Sequence, residues 1–343
     1  MNRHTIPLAS LLLLLAPSLM AEPTPKALGY TFPDQWEPRR GTMMIFPARH
    51  QYGRDTTPFR HEFVALAKAI AENEPVTVFC HHPDEDAARK MLGNTDNLTL
   101  RIGHYPIDWA RDNAPMLLRG PDGSLAAAGF RFNGWGMKYP GWQNDVVTRD
   151  HIAHTMGWPI FKSDLVLEGG AIEISNGVGI VTKSCVLNPN RTDWPKPRVE
   201  AELKAMLGLH TIIWLDSGLM PDPITDGHVD GLVKFIAPNT VLLHTTDLQT
   251  DINYPITQNA KRTLQAHGLT VIELPLADDI VHINFYIGSN GETAYVPVCG
   301  DPEQDDPALK IIKQHFKKTV PILAKEIGKQ GGGVHCLVMQ IPR

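Results

Sequence analysis

Two apolar rhythms alternate along this chain. Within 59–73, apolar residues fall at Phe63, Leu66, Ala67 and Ile70, the spacing of one face of a helix. Short runs such as Met43-Met44-Ile45-Phe46 are continuous in apolar character and read as buried strands. The segments 76–80 and 98–102 read as further strands, with a helix over 84–92 between them.

From residue 117 onward a pattern recurs. Two strand-like runs are joined by a turn signal, and a helix and another strand follow. The paired runs are 117–132, 171–187, 232–245 and 283–298. Their turns are Pro121-Asp122-Gly123, Asn176-Gly177, Pro238-Asn239 and Asn290-Gly291, and Asp-Gly and Asn-Gly are strong hairpin signals. Helices are expected over 146–156, 199–207, 256–267 and 308–317, and strands over 211–215, 269–274 and 319–323. The turns lie roughly fifty to sixty residues apart, which with the first segment gives about five units. This predicts an α/β protein, a ring of hairpin–helix–strand units like a propeller with helices outside. A doubly wound sheet would alternate single strands with helices, and no GxGxxG follows a strand. The Pro-rich stretch 188–198 reads as a loop inside a unit, so 22–343 is expected to be one domain.

Composition narrows the partners. The 343 residues are 43% hydrophobic and 20% charged, with a net charge of −5. Lys and Arg cluster only in pairs such as Arg39-Arg40 and Lys317-Lys318, which excludes nucleic acid as the main partner. Residues 1–21 resemble a secretory leader: Arg3 and His4, the run 11–15, and Ala21 as a cleavage site. That predicts an exported, periplasmic or secreted protein. The apolar run is too short for stable membrane insertion. Cys80, Cys185, Cys299 and Cys336 are far apart and form no CxxC, so no zinc ribbon is suggested. Export leaves one disulfide among the first three open.

Four polar segments stand out. Gly331-Gly332-Gly333 strips side chains from the chain just before Cys336, and an apolar strand-like run follows. A thiol between a bare loop and a rigid strand has access and aim, as a nucleophile needs; the plainer reading is a small buried hydrophobe. Asp112 lies in Asp108–Pro115, read as a loop before a strand. Glu168 sits at a strand end beside Gly169 and Gly170. His228 and Asp230 are two apart, which on a strand puts them on one face as an acid–base and cation-binding pair. Turn or surface roles compete for the carboxylates. Together they suit a small, planar cation attacked by sulfur. No cofactor-binding loop appears.

These segments resemble the agmatine deiminase and bacterial peptidylarginine deiminase family of guanidino-modifying enzymes. The matching stretches are WARDNAP (109–115), FNGWG (132–136), EGGAIE (168–173), LNPNR (187–191), TDGHVDG (225–231), NFYI (284–287), GDP (300–302) and GGGVHC (331–336). The resemblance implies the five-bladed α/β propeller called the pentein fold. It implies Cys336 as nucleophile, His228 as general acid and base, and Glu168 as the carboxylate partner of His228. Asp112 and Asp230 would bind the guanidinium, Asn284 would support the thiol, and Trp109 would pack near the substrate. Ala114 stands where the family often has Gly, and Val338-Met339-Gln340 where a Thr-Gln-Gln-like run is usual. The implied reaction is deimination of agmatine without metal or cofactor, with peptide-bound arginine as the alternative substrate and amidino transfer as another outcome. A homodimer is left open. Two other classes remain: a metal-dependent hydrolase using His228, Asp230, His335 and Cys336, and a non-catalytic binding protein.

Overall fold

A computed structural model describes residues 23–49, 55–139 and 141–343, so the leader expected at 1–21 lies outside the described residues. Strand β1 (Arg39–Ile45) is followed by a helix (Thr57–Ala71), β2 (Val76–His81), a second helix (Glu85–Leu92) and β3 (Leu98–Gly103). Four units of one design come next. Antiparallel β4 (Met116–Arg119) and β5 (Leu125–Arg131) are joined by β6 (Ile160–Val166), parallel to β5. In the same way β7 (Ile172–Ser175) and β8 (Val178–Thr182) take β9 (Thr211–Leu215), and β10 (Val233–Ala237) and β11 (Thr240–Thr245) take β12 (Thr270–Pro275). Last, β13 (Tyr286–Ile287) and β14 (Thr293–Val298) take β15 (Lys318–Leu323). The C-terminal strand β16 (Val338–Pro342) then pairs antiparallel with β1, so strands from opposite ends of the chain supply the antiparallel pair of the first sheet.

The described residues thus form five separate sheets, one of four strands and four of three. A helix crosses between the second and third strand of each three-stranded sheet, as a parallel return requires. The dipeptide Asn176-Gly177 turns tightly because both residues adopt positive φ, 47° and 70°.

Several expected boundaries move for local reasons. The helix expected at 308–317 runs from Pro302 to Ile312, because the Asp301 side chain accepts a hydrogen bond from Glu303 N and caps it. The second strand of the 171–187 pair ends at Thr182, whose hydroxyl accepts from Cys185 N and opens a helical turn instead. Asp112 lies on a helical turn (Ala110–Asn113) rather than in a loop. His228 and Asp230 do not share a strand: His228 caps a 3-10 turn (Val229–Gly231) that contains Asp230. Asp226 and Gly227, with φ of 65° and 96°, swing the chain out of extended geometry just before. All four thiols are free, so the disulfide left open among Cys80, Cys185 and Cys299 is absent.

One helix aims the site directly. Thr57–Ala71 buries Phe59, Phe63, Leu66, Ala67 and Ile70, and burying each large side chain contributes about 1.5–3 kcal/mol. Phe63 meets Phe46 edge-on at 5.7 Å, and Phe59 stacks on Trp109 at 5.8 Å, which fixes that indole in the wall of the cavity described next.

Candidate active site

Cys336 stands in a 3-10 turn (His335–Leu337) between the glycine run and β16. The glycines are required by contact. A Cβ on Gly332 would lie 2.3 Å from the Trp109 ring, and one on Gly333 would lie 2.5 Å from Asn284 Oδ1. The chain can therefore press against Trp109 and against Asn284, which touches the thiol. Asn284 Oδ1 accepts from Cys336 N at 3.3 Å and lies 3.4 Å from Sγ, while its Nδ2 donates to the carbonyl of Asp230 at 3.3 Å. Asp230 Oδ2 lies 3.7 Å from Sγ.

Gly170 is the centre of the arrangement. A Cβ there would fall 2.6 Å from His228 Nδ1 and 3.1 Å from both Asp112 Oδ1 and Asp230 Oδ2. Two carboxylates and an imidazole thus surround a space kept clear by glycine. Asp112 is oriented through both oxygens: Oδ1 accepts from Gly170 N and Oδ2 from Trp135 Nε1, each at 2.9 Å. Trp135 adopts φ 52°, a left-handed conformation rare for a bulky residue, in delivering that N–H.

Behind His228 lies a buried ion pair. Glu168 Oε2 is 3.6 Å from His228 Nε2, and Arg191 Nε sits 2.9 and 3.2 Å from the two Glu168 oxygens. Arg191 also reaches Asp226 Oδ2 at 2.9 Å and the carbonyl of Thr225 at 3.2 Å, tying Glu168 to the loop that carries His228. Asp222 holds the same loop by accepting from the backbone N–H of Thr225 and Gly227.

The charges follow from these neighbours. Burial disfavours an ionised Glu168, yet Arg191 and His228 outweigh it and hold the carboxyl down at about 2. Burial likewise opposes a charged His228, but the charge of Asp112 and contacts with Cys185 and Glu168 hold it well above the usual imidazole range. The neighbours of His228 therefore favour its imidazolium form. Burial raises Asp230 to about 6, with Asp112 and Glu173 adding to the rise against His228 and Lys234. Burial and the charges of Asp230 and Asp112 push the Cys336 thiol well above its ordinary value, against the Gly333 and Asn284 contacts.

A cavity of about 620 Å³ opens over this group, lined among others by Trp109, Asp112, Trp135, His228, Asp230, Asn284 and Cys336. All but one of the seven expected site residues line it. The exception, Glu168, is buried behind His228. Sequence reasoning singled out Gly170 beside Glu168 but passed over Trp135 and Arg191, although both stand in the segments FNGWG and LNPNR. Their value lies in cross-chain partners, which no local spacing reveals.

The metal-ligand set expected for a hydrolase, His228, Asp230, His335 and Cys336, lies around one space, with Asp230 Oδ2 3.0 Å from His335 Nδ1 and 3.7 Å from Cys336 Sγ, but its ligand atoms do not all lie within 4.8 Å of one another. Among the described residues the group of three such side chains whose ligand atoms all lie within 4.8 Å of one another is Glu168, Cys185 and His228. There Arg191 already occupies the carboxylate and its charge opposes a cation. No described helix is long and apolar enough to cross a membrane.

An α/β frame that buries a thiol, an imidazolium and two aspartates around one cleared space has the makings of an enzyme for planar cations. The chain belongs to the Porphyromonas-type peptidyl-arginine deiminase family, whose match spans residues 31–342. It is 33% identical to an agmatine deiminase of Stutzerimonas stutzeri over 93% of this chain and 97% of that protein. In three dimensions it resembles a crystal structure of the putative arginine deiminase from Porphyromonas gingivalis, with a TM-score of 0.80, 26% identity, and coverage of 92% of this chain and 98% of the other. It shares its fold with the agmatine deiminase of Enterococcus faecalis, with a TM-score of 0.86, 24% identity, and coverage of 94% and 99%.

Proposed function

We propose that this protein is an agmatine deiminase, hydrolysing the guanidinium of agmatine to N-carbamoylputrescine and ammonia. The observation that carries the reading is the convergence of Asp112, Asp230 and His228 on the space beside Gly170, with Cys336 next to Asp230. Its five sheets are read as the blades of a pentein propeller around that cavity.

A guanidinium is flat and offers paired N–H donors, which carboxylates match with short charge-assisted bonds. Asp112 and Asp230 hold it with its central carbon toward Sγ of Cys336. Its positive charge offsets the two aspartates, so the thiol gives up its proton to solvent as substrate binds. The thiolate adds to the central carbon. His228, an imidazolium kept charged by its neighbours, protonates one nitrogen. The C–N bond breaks and ammonia leaves, and a cationic amidino group remains bonded to sulfur. Neutral His228 then takes a proton from water as the oxygen adds to the same carbon. The C–S bond breaks, the hydroxyl proton is lost, and the ureido product and thiol are released. The charge of the cavity favours agmatine over free arginine: five aspartates line it against His228 and one lysine, Lys138, which is itself paired with Asp226 at 2.6 Å. A distal ammonium is attracted there and a distal carboxylate repelled. The leader-like residues 1–21 make this an exported enzyme.

Ammonia release from agmatine by the chain starting at Glu22, with Cys336→Ser alongside, tests the reading. Release by the unchanged protein and a loss of at least about 10⁴-fold in the variant are expected. Equal release by both removes Cys336 from the chemistry. Release only from peptides ending in arginine moves the assignment to that substrate.

A further inference from the structure

The mechanism leaves Glu173 of EGGAIE and His335 of GGGVHC without a task, and the fold brings the two together behind the nucleophile. His335 Nδ1 lies 3.0 Å from Asp230 Oδ2, the oxygen that is 3.7 Å from Cys336 Sγ. Its Nε2 lies 3.8 Å from Glu173 Oε1 and has no hydrogen-bond partner. Glu173 is filled from elsewhere, by Gln35 Nε2 at 3.3 Å and by Lys234 Nζ and Phe235 N at 3.4 Å. All of these polar groups are buried.

We propose that His335 is a positioning residue: a neutral ring whose single proton, on Nδ1, is donated to Asp230 and sets that carboxylate to receive the guanidinium. The inference rests on the reading of Asp230 as a guanidinium ligand. A carboxylate can only accept, so an ionised Asp230 fixes the proton on Nδ1. The neutral state has its own cause. Burial, Arg111 and Lys234 hold His335 well below the usual imidazole range. A charged ring in its place would neutralise Asp230 and compete with the substrate for it. A neutral donor orients the carboxylate and leaves its charge for the guanidinium. His335 precedes Cys336 directly, so the same bond also anchors the turn that carries the thiol.

The test is calorimetric binding of agmatine to the chain with Cys336→Ser, so that nothing turns over, with His335→Ala, His335→Asn or His335→Gln added. The Asn amide nitrogen takes the place of Nδ1, and the Gln amide reaches toward Nε2. Binding weaker by about 10- to 100-fold is expected for Ala and for Gln, and within about threefold of the parent for Asn. A role in filling space alone predicts the reverse order, because Gln is nearer to His in volume, and that order overturns the proposal, as does equal binding by all. If Ala does not fold, the Asn–Gln order decides. The pH profile is a second readout. Asp230 faces His228, Asp112, Glu173, Lys234, His335 and Cys336, and it takes up a proton as pH falls through about 6. Binding by the parent therefore weakens below that pH. Loss of the Nδ1 donor moves the midpoint upward, and Asn returns it. A parent that binds no guanidinium at all overturns the reading of Asp230 and this proposal together.

Discussion

Two histidines flank the reacting cavity, each with a glutamate and a buried cation behind it, and they end in opposite charge states. His228 is 3.6 Å from Glu168, which Arg191 holds; His335 is 3.8 Å from Glu173, which Lys234 holds. The two glutamates come from one motif, five residues apart. Burial acts against charge at both rings. At His228 the nearby charges are Asp112 and Glu168, and Arg191 stands beyond Glu168, so the ring is charged. At His335 the charges of Arg111 and Lys234 reach the ring and keep it neutral. A His–Glu–cation sequence pattern therefore does not define a catalytic group. At His335 the nearest charges are carboxylates, at 3.0 and 3.8 Å, yet burial together with Arg111 and Lys234 outweighs them. The balance of burial and surrounding charge, not the nearest partner, decides whether the ring donates a proton to a leaving group or only orients a neighbour.

The largest effect that bears on this contrast comes from His228 itself. His228→Asn keeps a polar group of modest size but cannot hold or transfer the proton. It should lower kcat for ammonia release by about 10²–10⁴-fold, whereas His335→Asn is expected to stay close to the parent. Equal losses from the two substitutions, measured in parallel, would show that the two rings do not differ in kind.

A step smaller is the pair behind His228. Glu168→Gln with Arg191→Met removes both charges together, which avoids stranding one of them, a loss that costs about 3–5 kcal/mol when a buried pair is broken from one side. Without Glu168 the imidazolium loses a stabilising neighbour, and kcat should fall by about 10²-fold, with the alkaline limb of the rate profile moving to lower pH. An unchanged alkaline limb would mean that Asp112 alone sets the charge of His228. The stability of this region has a sign of its own. The carboxyl of Glu168 is held at about 2, below its unfolded value. Its contribution is present above that unfolded value, near about 4.3, and is lost as pH falls toward about 2.

Much of this could be read from the chain, and what could not has a common cause. The hairpin turns were legible because positive φ at Asn176 and Gly177 demands those residues. Cys336, Glu168, His228 and Asp230 were legible because thiol, imidazole and carboxylate beside glycine is unusual in any local context, whereas Trp109 and Asn284 were expected only from the family resemblance. Strand β6 was not separately read: its Ile160–Val166 mixes exposed and buried positions without alternation. The helical turn under Asp112 spans four residues, too few for a 3.6-residue period to show. The placing of His228 and Asp230 on one strand failed because Asp226 and Gly227 turn the chain first. Arg191, Trp135 and His335 act through partners 23 to 105 positions away, and spacing along the chain carries no record of such pairs.

The smallest effect is expected from the matching exchange on the other side, Glu173→Gln with Lys234→Met. Replacing a buried ion pair by neutral groups of similar volume is often close to neutral in stability. The amide oxygen introduced by Glu173→Gln can still accept from Gln35 and from Phe235 N, which now donate to the Glu173 carboxylate. Arg111 remains to keep a proton off His335, so the ring should stay neutral and Asp230 stay oriented. The expected outcome is a kcat within about threefold of the parent and a KM raised less than about tenfold, because the loss falls on guanidinium orientation and not on proton transfer. Thermal unfolding and steady-state ammonia release on the same preparation separate the two effects. A kcat loss as deep as that of the Glu168 and Arg191 exchange, in a protein that unfolds at the parent temperature, would mean that Glu173 and Lys234 take part in the chemistry and that the contrast between the two histidines is false.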